Sequence, residues 1–381
     1  MCIMLRITRT LATGDGMRLA WIMLGLVGLL ASPVVAAADS DLGAMIARYA
    51  AEHQFNGTIL VEEQGRRLHA ASYGVADRAL GVPAASDHRY RVASVTKLFT
   101  SVLVLQLVDQ SKIDLAAPIA TYLPDYPGGG ADRVTVRQLL NHSSGLAPFD
   151  RVESYQEGFS RGMPQYQQPM TLAQLLAFCC SGPLVATPGA AFAYNNADYI
   201  VLAAMIERVT GQSYEAVLRE RILAPLALDD SGIAYSQPII ARLVPTYFYR
   251  DDSKTLVRDM PVYAENWHAA GAMYASAGDL ARFAEALFGG KLLSPRGLDA
   301  LLRPGHDDYG LGLWSYSIRR GGRAYHVAKR PGSIMGANAV LYRLRERDLT
   351  IILLANTNLT DLDVFAQRIA NQFVGEPAPK K

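Results

Sequence analysis

The sequence predicts an α+β fold of two lobes, with one antiparallel sheet built from both chain ends and a mainly helical block inserted between them. Two observations carry this. β-rich runs cluster just after an opening helix and again near the C-terminus, while the long middle is dominated by helix-period patterns. A third sets the scale: 381 residues with 50% hydrophobic and 19% charged content describe a globular chain with ample core.

The elements follow in order. "DLGAMIARYAAEHQF" has apolar residues at helical spacing. "GTILVEEQGRRLHAASYG" reads as a hairpin turning at Glu63 to Gly65. "SVTKLFTSVLVLQLVDQ", "TVRQLL", "TLAQLLAFC", "ADYIVLAAMIERVTG" and "YEAVLRERIL" read as helices, and "AGDLARFAEALFGG" adds a capped start and a Gly-Gly stop. Then "YGLGLWSYSI", "GRAYHVA", "SIMGANAVLYRL" and "DLTIILLANT" return to strand patterns, and "DLDVFAQRIANQFV" closes as a helix. The expected boundaries are 39–93 and 305–376 for the sheet lobe, 94–304 for the helical lobe and 377–381 for a short tail. A site in such a fold is expected in the cleft between lobes.

Residues 1–38 read as an N-terminal extension and export signal. Arg18 precedes an apolar stretch from Leu19 to Leu30, then Pro33 and the small-residue site Ala36-Ala37-Ala38. The signal is complete from Met17, which makes that residue a candidate true start. The expectation is a periplasmic or secreted protein cleaved near Ala38, with an uncleaved membrane anchor as the alternative. The net charge of +2 is accounted for by Arg6, Arg9 and Arg18 against Asp15, so the rest is near neutral. With no basic stripe or zinc-finger spacing, nucleic acid is not an expected partner. Of the three cysteines, Cys2 precedes the cleavage site, and the adjacent Cys179 and Cys180 read as small apolar helix residues rather than a disulfide. The seven histidines form no His-Glu-x-x-His, and neither a Gly-x-Ser-x-Gly elbow nor a phosphate-binding glycine motif occurs. No metal or cofactor is expected.

Two short patterns carry chemistry. In "RVASVTKLFT", Ser94 stands three places before Lys97, so on a helix the two share a face. A desolvated lysine can serve as a base, and a serine in the first turn has its own N–H at the positive helix end, where an oxyanion is stabilised. About one such match is expected by chance in a chain this long, so an ordinary polar helix start explains it equally well. In "GAAFAYNNADY", Tyr194 and Asn196 form a Tyr-x-Asn pattern, with Asn195, Asn196 or Asp198 available as helix caps. A tyrosine near a lysine can have its ionised form favoured and then relay protons.

Together, in this order, the patterns resemble the serine β-lactamase and penicillin-binding-protein-like superfamily, in its class C β-lactamase-related branch. The resemblance extends through "IDLAAPIATYLPDYP", "VTVRQLLNHSSGLAP", "ATPGAAFAYNNADYIVLAAMIERVTG" and "GAMYASAGDLARFAEAL", covering roughly 55–370. It implies the two-lobe β-lactamase/transpeptidase-like fold, Ser94 as acylated nucleophile, Lys97 as its proton partner, Tyr194 as general base and acid, and Asn196 as a polar positioner. The family's third motif, Lys-Thr-Gly or His-x-Gly, corresponds to "RPGSIMG", with Arg330, Gly332 and Ser333 as substrate-binding or oxyanion residues. Here Arg330 replaces the usual cation and Pro331 removes a donor; Lys329 and His326 stay open as alternative cations. His142 in "NHSSGL" corresponds to a structural turn. The resemblance implies an acyl-enzyme hydrolase acting on a small molecule or peptide, first a D-amino-acid-containing peptide of the D-Ala-D-Ala type. An ester or β-lactam is the alternative, and a non-catalytic binding protein the alternative of another class.

Overall fold

The computed structural model describes residues 34–148, 155–163 and 166–375, with backbone alone at 34–40 and 155–156. The expected signal up to residue 33 and the 377–381 tail lie outside the described residues. Among the described residues no helix is long and apolar enough to cross a membrane.

Helix α1 (Val34–Glu52) leads into strands β1 (Gly57–Glu63) and β2 (Arg66–Tyr73). Their turn holds Gln64 and Gly65 at φ 52° and 73°, the left-handed pair that a tight hairpin requires. Strands β3 (Trp314–Arg320), β4 (Arg323–Ile334), β5 (Ala337–Leu344) and β6 (Leu349–Ala355) come from the other end of the chain. All six join in one antiparallel sheet, in the order β3-β4-β5-β6-β1-β2. Gly57 of β1 pairs with Ala355 of β6, so the chain ends meet in the middle of the sheet.

Both faces of the sheet are covered, which explains the continuous apolar run of β6. Side chains alternate across a strand. Ile351 and Leu353 pack with Ile46, Tyr49 and Phe365 under α1 and α5 (Leu362–Ala370), while Ile352 and Leu354 join the core of the other lobe. That second core centres on α2 (Thr96–Asp109), which is buried on nearly every side, with α3 (Asn196–Thr210) and α4 (Ala277–Phe288) against it. Phe99 of α2 stacks on Phe283 of α4 at 3.7 Å between ring centres.

The inserted lobe is less purely helical than its patterns suggest. Its strands Met273–Ala275 and Gly232–Ile233 form a three-stranded sheet with Tyr90–Arg91, and Tyr247–Arg250 forms a hairpin with Thr255–Arg258. These strands have two to four residues, too short to show a period. One expectation is corrected: Cys179 and Cys180 are joined as a vicinal disulfide. The helix Leu172–Cys179 stops between them, and Cys180 at φ −125°, ψ 6° has left helical geometry, so the two side chains do not stand on successive helical positions.

Candidate active site

The site forms where α2, α3 and β4 meet. Ser94 sits in a single 3-10 turn, Ala93–Val95, that runs directly into α2. Ala93 has φ +46°, a left-handed conformation uncommon for alanine. Neighbours hold it there. The Thr96 hydroxyl donates to Ala93 O at 2.7 Å and accepts from Met273 N–H at 3.1 Å, and Val92 N–H donates to Met273 O at 3.0 Å. From the other side β4 presses against the turn through Gly332. A Cβ added at Gly332 would stand 2.8 Å from Ser94 N and closer still to Val92 O. The glycine thus admits the close approach of the Ser94 turn to β4.

Lys97 is fully buried one turn into α2. Its Nζ donates to Ser94 Oγ at 3.0 Å, to Asn196 Oδ1 at 2.5 Å and to Ala270 O at 2.7 Å. These three acceptors satisfy the three hydrogens of an ammonium group. Asn196 is the first residue of α3. Its place is fixed by Asn195, the N-cap, whose Oδ1 accepts from Ala197 N–H at 2.9 Å and whose Nδ2 donates to Leu146 O and Ala147 O.

Tyr194 precedes the cap and lays its hydroxyl 2.7 Å from Ser94 Oγ. Arg330 Nη2 donates to the same phenol oxygen at 2.8 Å. Burial pushes the Tyr194 phenol up, but the positive charges of Arg330 and Lys97 and the hydrogen bonds at its oxygen outweigh that and bring it to about 8. Its ring is 40% exposed, so this is a phenol at the cleft wall with its polar end turned inward.

Arg330 is 1% exposed. Its Nε donates to Ser94 O at 2.6 Å and its Nη1 to Tyr309 Oη at 2.7 Å, beside the bond to Tyr194. The rings of Tyr194, Tyr309 and Trp314 surround it, with centres 5.6 to 5.9 Å from its Cζ. The guanidinium is therefore committed to the nucleophile turn and the tyrosine rather than presented to a ligand. The two alternative cations lie elsewhere: Lys329 pairs with Asp363 of α5 at 3.0 Å, and His326 with Glu346. Ser333 is exposed beyond the paired end of β3, whose register stops at Lys329, so residues 330–334 leave a strand edge unpaired on that side.

His142 is fully buried behind Tyr194, its ring 4.4 Å from the tyrosine's, with Nδ1 2.8 Å from Asp198 Oδ2. The sequence reading made it a turn residue, and it does occupy the turn after the helix Val136–Leu140, at φ 56°. Three participants escaped that reading. Tyr309 sits in a run that looks like any strand start, Ala270 contributes only its carbonyl, and Asp198 looks like a cap. Nothing in the local sequence separates these from core or capping residues.

Chemically, the arrangement is a chain of hydrogen bonds from Lys97 through Ser94 to Tyr194, with Arg330 donating into its far end. An arginine can only donate, so the phenol oxygen is set up to accept the serine's proton. Such a constellation on such a fold defines an acyl-transfer type of serine site. The family model described as Beta-lactamase matches residues 42–375, and the chain belongs to that family. It is 27% identical over 276 residues to the Bacillus subtilis protein described as "Putative penicillin-binding protein PbpX", covering 72% of this chain and 66% of that one. It is 25% identical over 257 residues to a teichoic acid D-alanine hydrolase of Staphylococcus aureus, covering 68% of this chain and 60% of that one. Both alignments thus leave a third or more of the relative unmatched. Among solved structures it resembles a D-stereospecific amidohydrolase from Streptomyces, with TM-score 0.72 and 26% identity over 88% of this chain and 97% of that one.

Proposed function

We propose that the protein is an exported serine hydrolase that cleaves an amide or ester of a D-amino acid through an acyl-enzyme on Ser94. One observation carries the chemistry: Ser94 Oγ lies 3.0 Å from Lys97 Nζ and 2.7 Å from Tyr194 Oη, with Arg330 donating to that phenol. Ser94 Oγ bonds to the carbonyl carbon as its proton passes to Tyr194. The backbone N–H groups of Ser94 and Ser333 hold the oxyanion. The leaving amine or alcohol takes the proton from Tyr194 as its bond to carbon breaks. Water then attacks the ester, gives a proton to Tyr194, and Ser94 regains it on release. Lys97 keeps Ser94 oriented and stabilises the negative charge formed on the way.

The substrate class rests on two supports. The D-stereospecific amidohydrolase and the D-alanine hydrolase point to a D-aminoacyl group. The burial of Arg330 points to a leaving group without a carboxylate, because this guanidinium is already bonded to Ser94 O, Tyr194 and Tyr309. On these supports we rank a D-aminoacyl amide or ester ahead of a D-Ala-D-Ala peptide or a β-lactam. A simple esterase is the second reading, favoured by the same engagement of Arg330.

The test compares kcat/KM for D-alanine p-nitroanilide, its L-isomer, a D-Ala-D-Ala peptide, a chromogenic cephalosporin and p-nitrophenyl butyrate. The D-anilide is expected to lead its L-isomer by tenfold or more, a difference of about 1.4 kcal/mol. Equal rates for the isomers, with the butyrate far ahead, would replace this reading by the esterase. Failure of a serine-reactive phosphonate to label Ser94 would turn the protein into a binding module. Export is tested by N-terminal sequencing of the periplasmic fraction, where chains should begin near Asp39.

A further inference from the structure

His142 and Asp198 stand directly behind the candidate base, yet the chemistry above uses neither. Donor and acceptor accounting bears on their state. The backbone N–H of Asn195 donates to His142 Nδ1 at 3.3 Å. A backbone N–H can do nothing but donate, so Nδ1 presents a lone pair there. Asp198 Oδ2 lies 2.8 Å from the same nitrogen. With a lone pair on Nδ1 the hydrogen of that contact is carried by the acid, and the one lone pair is shared between the acid O–H and the longer Asn195 N–H contact. The other oxygen, Oδ1, accepts from the Ser144 hydroxyl at 2.5 Å. Both residues are fully buried, and among the described residues His142 Nε2 meets no hydrogen-bond partner, so a positive charge on the ring would be poorly solvated.

We infer that Asp198 is a permanently neutral carboxylic acid, donating to a neutral His142, and that the pair braces the Tyr194 ring without placing a negative charge beside it. Burial pushes the Asp198 carboxyl well above the usual range, and burial, then Lys97 and Arg330, holds His142 well below its own. The groups facing Asp198 are His142 and Ser144 from one loop, Tyr126 from another and Lys97 from α2. Tyr199, Tyr309 and Arg330 complete the cluster around His142 and Tyr194. An ionised Asp198 would add a fixed anion among these groups. It would draw on the field of Lys97 and Arg330 and push the Tyr194 phenol up. Kept neutral, it leaves that field to the phenol. The consequence for turnover rests on Tyr194 being the base; the protonation state does not.

The experiment uses the full mature chain and two substitutions. Asp198→Asn is a neutral isostere: its amide donates to Nδ1 and its carbonyl accepts from Ser144. The infrared difference spectrum, wild type minus Asp198→Asn at pH 8, should show the C=O stretch of a protonated carboxyl. The thermal midpoint of Asp198→Asn should stay near wild type while Asp198→Ala falls clearly below it. The acid limb of kcat/KM should stay within about 0.3 pH unit. A carboxylate band in place of the carboxyl band would overturn the inference. So would an Asp198→Asn protein as unstable as Asp198→Ala, or one that fails to fold, since a charged pair would then have been broken. A downward shift of the acid limb by about a unit would do the same, because it would reveal a removed negative charge. The infrared readout needs no turnover, so it stands even where every assayed substrate proves wrong.

Discussion

Ser94, Tyr194 and Arg330 are joined by hydrogen bonds, and on the proposed mechanism each should respond differently to substitution. Ser94→Ala should remove turnover and phosphonate labelling while leaving the thermal midpoint nearly unchanged, because its hydroxyl is at the cleft and not in the core. Tyr194→Phe should lower kcat by about 10²- to 10⁴-fold, the range of a lost general base, with circular dichroism unaltered. The pH dependence follows from the sign of the phenol's shift. A base works deprotonated, so kcat/KM should rise with pH and level off above about 8. Arg330→Met takes away the larger of the two charges that bring the phenol down, so the limb should move to higher pH and the rate at pH 7 should fall. An unmoved limb in Arg330→Met would mean that the group titrating in the profile is not Tyr194. Gly332→Ala tests geometry alone. Its methyl would meet Val92 O and Ser94 N, and a displaced nucleophile costs about 10²-fold in acylation. The burst of acyl-enzyme should slow while substrate affinity holds.

At the scale of elements, the site is three ends brought to one place: the first turn of α2, the capped start of α3 and the unpaired stretch of β4. The start of α3 is the most exposed to a single change, since Asn195 caps the helix and also ties it to Leu146 and Ala147. Asn195→Ala should cost about 1–2 kcal/mol in chemical denaturation and raise the freedom of Asn196 against Lys97. Phe99→Ala, in the stack with Phe283, should cost about 3–5 kcal/mol with little change in the pH profile. Much at this scale was readable in advance. The Gln64-Gly65 turn, the Asn-rich start of α3 and the Gly211 that ends it carry their geometry in residue type. What stayed hidden depends on contacts distant in sequence. Whether Arg330 faces a ligand or Ser94 O depends on a residue 236 positions away, and whether two adjacent cysteines join depends on where one helix stops. The short strands of the inserted lobe were invisible for a simpler reason: two to four residues carry no period.

Over the whole molecule, two cores share one sheet. Ile352 and Leu354 face the helical lobe and Ile351 and Leu353 face α1 and α5, so neither core is complete without β6. Unfolding followed by tryptophan fluorescence and by far-ultraviolet circular dichroism should therefore give coincident curves. Two separated transitions would mean that the inserted lobe stands by itself. The meeting of Gly57 with Ala355 also has a bearing on when the site comes into being. Ser94 and Lys97 are translated early, but the strand that presses the nucleophile's turn into place, and the arginine that prepares the phenol, belong to the last sixth of the chain. A ribosome that has released Lys97 still has more than two hundred residues to add. During that time the serine is an ordinary alcohol and cannot attack the esters and amides around it. The Ser94 turn thus meets its last supports only once that late strand has joined the sheet.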